Sequence, residues 1–202
     1  MKKIFFIVFM LSSCGDMNNN DTSDSDLNKI DEDLIGTWST CFEDGTSGKS
    51  FKIEYIFDES YQKYNNITYL DNSCNDEIYR ILYNRKYEIF STTNTSFNEI
   101  NFTTSDVKII YLKQSGEFSV DTLNSTNAYG FNDWQINVEK DITGLSPDAE
   151  SEPIPQKGET LYQIYQIIDN KLMIGDPRTG NSSTEEERPT EVNKDLILSK
   201  NI

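Results

Sequence analysis

The side chains best suited to covalent chemistry are three cysteines, Cys14, Cys41 and Cys74, and no histidine accompanies them anywhere in the 202 residues. Without an imidazole, Ser-His-Asp and Cys-His mechanisms have no general base, and zinc, copper or haem sites built on histidine have no ligand. The 34 aspartates and glutamates could in principle supply the acid and base of a glycoside hydrolase, which needs two carboxyls at a set separation. No local motif selects two of them. Asp21, Asp24, Asp26, Asp31, Glu32 and Asp33 cluster ahead of the first strand-like run, but they lack the alternating ligands and central glycine of an EF-hand loop. They read as a solvated spacer, with no metal. The chain has no phosphate-cradling glycine loop, no dinucleotide fingerprint and no Gly-X-Ser-X-Gly elbow. The expectation is a protein that is not an enzyme and carries no cofactor.

Where these residues sit is set first by the N-terminus. Lys2 and Lys3 precede an unbroken apolar run, Ile4 to Leu11, and two small residues, Ser12 and Ser13, follow it. A charged start, a short apolar centre and small residues make an export signal, and the run is too short to span a bilayer. The tetrad Leu11-Ser12-Ser13-Cys14 resembles the lipobox of bacterial lipoproteins. That resemblance implies diacylglycerol on the Cys14 sulfur, cleavage before Cys14 and acylation of the new amine. Gly15, rather than an aspartate, follows the cysteine, which favours the outer membrane over the inner, with Asp16 leaving the choice open.

Export to an oxidising compartment bears on the two remaining cysteines. Cys41 and Cys74 are expected to pair; the other reading is a free thiol, with no histidine to activate it. Loss of Lys2 and Lys3 takes the formal charge from −16 to −18. So acidic a chain is a poor partner for nucleic acid and is repelled by anionic headgroups, so membrane attachment has to come from the lipid. The oligomeric state is not legible.

The sequence divides into a signal peptide (1–13), a lipidated cysteine with an acidic tether (14–33) and one folded domain (34–202). From Leu34 onward, short runs rich in Ile, Tyr, Phe and Thr are punctuated by Gly, Asn, Asp and Ser. Phe51, Ile53, Tyr55 and Phe57 alternate with polar residues, the period of a half-buried strand. Further runs at 34–42, 61–70, 77–83, 86–91, 97–103, 106–113, 134–138, 161–168 and 172–174 predict strands, with a tight turn at Asp169-Asn170. Residues 142–159 and 177–190 read as long exposed loops. This spacing predicts an all-β antiparallel fold, a barrel or a sandwich.

Gly36-Thr37-Trp38, at the head of the first strand, resembles the Gly-X-Trp signature of the lipocalins and the wider calycin superfamily. The resemblance implies an up-and-down barrel of about eight strands whose Trp closes one end, near a short N-terminal helical turn, with a late cation stacked on the indole. Arg188 is the candidate for that cation, although the family's arginine sits closer to the last strand. The whole layout looks like the lipocalin-like lipoproteins of Gram-negative bacteria, for which no activity is implied. Three functions follow as expectations: a barrel that takes a small, partly apolar ligand, a barrel filled by its own side chains that meets a protein partner, or, least favoured, a carboxylate-dependent hydrolase.

Overall fold

The computed structural model describes residues 30–45, 47–90, 96–114, 119–151 and 153–201. The expected export signal, Cys14 and the expected tether up to residue 29 lie outside the described residues.

Among the described residues nine strands form: β1 (Gly36–Glu43), β2 (Ser50–Phe57), β3 (Tyr61–Tyr69), β4 (Glu77–Phe90), β5 (Asn98–Tyr111), β6 (Glu139–Asp141), β7 (Thr160–Ile168), β8 (Lys171–Ile174) and β9 (Leu198–Lys200). Every pairing is antiparallel, and the order β1-β2-β3-β4-β5-β7-β8-β9 returns to β1 through Trp38 opposite Lys200. The result is an eight-stranded up-and-down ring that leaves no open edge around its circumference. Strand β6 is an addition, paired to the far end of β5.

The cross-strand register shows which side chains face inward. Trp38 lies opposite Tyr55, Tyr55 opposite Tyr64, Tyr64 opposite Tyr83 and Tyr83 opposite Val107, so these side chains share one face. The buried cluster around Trp38, Phe57, Tyr87, Ile100, Phe102 and Leu172 marks that face as the interior.

Two pairs of predicted runs are in fact single strands. The expected runs at 77–83 and 86–91 fall on β4, which ends at Phe90, and those at 97–103 and 106–113 fall on β5, which spans Asn98–Tyr111. An irregularity opposite Asn84 and Arg85 leaves Ser105 unpaired in β5. That extra residue switches the inward positions from Ile100, Phe102 and Thr104 to Val107, Ile109 and Tyr111, which breaks the sequence period although the strand continues.

The expected strand at 134–138 does not form. This region is an irregular cover held by the short helix α1 (Val120–Thr126), which the sequence reading did not anticipate. Ser119 caps α1, its hydroxyl accepting from the Thr122 N–H. Asn124 then clamps the cover in place: its carbonyl accepts from the Trp134 N–H at 2.6 Å, and its amide donates to the Trp134 carbonyl at 3.2 Å. Trp134 is buried, with its ring edge-on to Tyr111 and Phe131 and its indole N–H donating to the Ala128 carbonyl.

The two long loops are also less exposed than expected. Ile142 is fully buried, and Ser182, Arg188 and Pro189 are buried against the barrel wall. The turn at Asp169 and Asn170 forms as predicted, both residues taking φ above +50°, as a two-residue hairpin turn requires.

Candidate ligand site inside the barrel

One end of the ring is sealed. Residues 31–34 turn under it, the Leu34 N–H donating to the Asp31 carbonyl, and the Trp38 indole N–H donates to the Leu34 carbonyl at 2.7 Å. Leu34, Trp38, Tyr165 and Leu198 are fully buried there.

The cation over the indole is Lys200 on the last strand, its Nζ 5.0 Å from the ring centroid and donating to the Asp33 carbonyl at 3.0 Å. This corrects the assignment of Arg188. That residue lies on the outer face of β5 and β7, donating to the Gln163 carbonyl and the Asn101 side chain, pairing with Glu99 and stacking on Tyr162. The proline after Arg188 and the long loop before it carry it to the wall, whereas Lys200 reaches Trp38 directly as its cross-strand partner. Gly36 makes room for it. Its φ of +126° is open to glycine alone, and a Cβ there would meet the Lys200 side chain at 3.0 Å.

The middle of the barrel is polar. Tyr55, Tyr64 and Tyr83 stand in a row, with centroids 4.9 and 5.2 Å apart, and the Arg85 guanidinium lies over Tyr83 at 4.8 Å and over Tyr64 at 5.5 Å. Beside it, Gln62 is the direct cross-strand neighbour of Arg85 and is fully buried. Burial pushes the phenols of Tyr55, Tyr64 and Tyr83 up and the Arg85 guanidinium down from their usual ranges. An arginine nevertheless stays protonated in a protein, so a full positive charge sits inside the ring.

Beyond this layer the inward side chains keep partial exposure. Phe51, Ile53, Asn66 and Ile81 face inward yet are only half-buried, as are the three tyrosines of the row, in contrast to the sealed layer around Trp38. The α1 segment and Trp134 cover the β4–β5 side of this end. On the β1–β2 side, Phe42 is 42% exposed and stacks on Phe51 at the rim. The rim on this side is therefore aromatic.

The Cys41–Cys74 disulfide is present at this same end, with Cα atoms 6.3 Å apart, and ties β1 to the loop between β3 and β4. Asp71 shapes that loop by accepting from the Ser73, Asn75 and Asp76 N–H groups, which holds its carboxyl below the usual range. A surface groove of about 680 Å³ lies outside the ring between β5 and residues 141–157. It is lined by acidic and basic side chains together, Asp106, Lys108, Asp141 and Lys157 among them, and converges on no single chemistry.

No known family model matches the chain, and no curated protein matches it. Among the described residues no group of three or more potential metal-binding side chains converges, and no helix is long and apolar enough to cross a membrane. Asp31, from the acidic cluster, accepts from the Tyr165 hydroxyl at 2.7 Å.

Sequence reasoning missed Lys200, Gln62 and Arg85. For Arg85 a signal was available. Along β4 the odd positions read Tyr79, Ile81, Tyr83, Arg85, Tyr87, Ile89, a single charge in an otherwise apolar inward series.

Proposed function

We propose that the protein is a cell-envelope lipoprotein, anchored to the membrane through lipid on Cys14, whose lipocalin-like barrel binds a small, partly apolar molecule. The observation that carries this reading is the contrast between the two ends of the ring. The Trp38 end is packed tight, while the inward aromatic face of β2, β3 and β4 keeps accessible surface beneath an aromatic rim. A concave, mostly apolar site with a few polar groups is the usual form of a small-molecule pocket.

The lipocalin likeness draws further support from Gly36, Trp38 and a cation stacked on the indole from the last strand. The lipid anchor rests on the lipobox-like tetrad, and the acidic domain would stand off the surface on its tether. On this reading the outer membrane is the favoured location, and the protein has no catalytic role.

Two measurements test the two halves. The full chain carrying Cys14→Ala, expressed in a lipoprotein-competent host, should move from the detergent phase to the aqueous phase; retention in the detergent phase would overturn the anchor. The full chain carrying Cys14→Ser, secreted by its native host, should show by native mass spectrometry a population heavier by one small molecule, released on unfolding. A single bare mass would instead favour a barrel filled by its own side chains, with a protein partner.

A further inference from the structure

We infer that the ligand of the barrel carries an anionic group, a carboxylate on an apolar body, and that Arg85 receives it. This rests on the reading of the barrel as a binding site and names the chemistry of what it binds.

The argument begins from what surrounds Arg85. The residue is 7% exposed, yet its side chain forms no ion pair and no hydrogen bond among the described residues, and its Nε is sealed from solvent without a partner. The titratable groups acting on it are the phenols of Tyr55, Tyr83 and Tyr64, not a carboxylate. Its contacts are ring faces: Tyr64, Tyr83 and Phe102, all within 6 Å of the guanidinium carbon. Stacking on aromatic rings offsets part of the cost of desolvating a guanidinium but satisfies none of its five N–H donors.

Gln62 sharpens the point. It is the cross-strand neighbour of Arg85, and both its amide nitrogen and its carbonyl oxygen are buried without a partner. A carbonyl that could accept from the guanidinium does not. Two adjacent buried polar groups, both unsatisfied, are rare in a folded core, because unmade hydrogen bonds and unpaired charge are strongly destabilising there.

The other arginines find partners: Arg80 forks onto Glu77, Arg178 onto Asp176, and Arg188 reaches two strands and Glu99. In a chain with 34 acidic side chains, the one arginine inside the barrel is the one left without a carboxylate. A planar donor fork with no protein acceptor, set among aromatic rings, matches a carboxylate that arrives from outside. The tyrosines and the Phe42–Phe51 rim would then flank the apolar body of the ligand.

The test compares two probes of one shape. Decanoate and decan-1-ol are titrated calorimetrically at pH 7.5 into the full chain carrying Cys14→Ser, so that no acyl chain of the protein competes for the barrel. Decanoate should bind at least tenfold more tightly than the alcohol. Arg85→Met and Arg85→Gln, each checked for folding by circular dichroism, should bring the two affinities together. The denaturant midpoint of ligand-free Arg85→Met should equal or exceed that of the parent, whereas an arginine kept for structure would lower it. Equal binding of acid and alcohol to the parent would overturn the carboxylate and leave the barrel as an apolar site. A preference for the acid that survives both substitutions would overturn Arg85. If neither probe binds, the binding reading falls, and the carboxylate with it.

Discussion

Trp38→Ala should destabilise the protein by about 3–5 kcal/mol, the range for emptying a fully buried aromatic site. The indole is completely buried, it carries 150–250 Å² of surface in general terms, and it holds the chain entry by its hydrogen bond to the Leu34 carbonyl. The surroundings cannot collapse into the void, because Leu34, Leu198 and Tyr165 belong to three separate segments pinned by the ring. Chemical denaturation measures the loss directly. A double-mutant cycle with Lys200→Met should return a coupling of about 0.5–2 kcal/mol for the stacked ammonium, and a cycle with Arg188→Ala should return close to none. A loss below about 1 kcal/mol for Trp38→Ala would mean the ring does not seal the barrel, and the lipocalin-like reading would go with it. Coupling to Arg188 in place of Lys200 would contradict the geometry.

Removal of the Cys41–Cys74 disulfide should cost about 3–4 kcal/mol on the chain-entropy account, since the bridge closes a loop of 33 residues. Cys74 has φ +56°, a conformation disfavoured for a residue with a Cβ, and it is held there by Asp71 and by its N–H donating to the Ser50 hydroxyl. Without the bridge, the β3–β4 loop would have less to hold it beside β1 at the open end of the barrel. Cys41→Ala/Cys74→Ala should therefore unfold at a lower denaturant midpoint with little change in overall strand content. Thiol titration of the unfolded, unreduced protein should find no thiol from either residue; finding both would refute the pairing.

How far the site was legible varies residue by residue, for physical reasons. Gly36 and Trp38 stand out because a positive-φ glycine and a plugging indole are local requirements, met within three positions of sequence. Lys200 was hidden, although it does what was expected of Arg188. Whether a cation lies over a ring depends on strand register, and nothing local in a three-residue strand reveals that Lys200 pairs with Trp38 across 162 positions. Arg85 was half legible. Its place in the odd series of β4 marks it as inward-facing, but its lack of a carboxylate is a property of every neighbour at once.

Trp134 shows the opposite failure. Its alternation with Ile136 and Val138 mimics a strand, yet Asn124 supplies the backbone partners of Trp134 that a neighbouring strand would otherwise provide. Period alone cannot distinguish the two, because an irregular segment can bury alternate residues without joining a ladder.

From the sequence alone came the absence of histidine chemistry, the acidic balance, the lipobox-like start, the all-β class and the expected pairing of the last two cysteines. All of these depend on residue type, short-range period or small counts, which the chain carries locally. Closure of the ring, the bulge that reverses the facing of β5, the choice of Lys200 over Arg188 and the unpaired charge of Arg85 were decided only by tertiary structure. Each is set by which distant strands lie side by side, and burial and electrostatics act through space rather than along the chain.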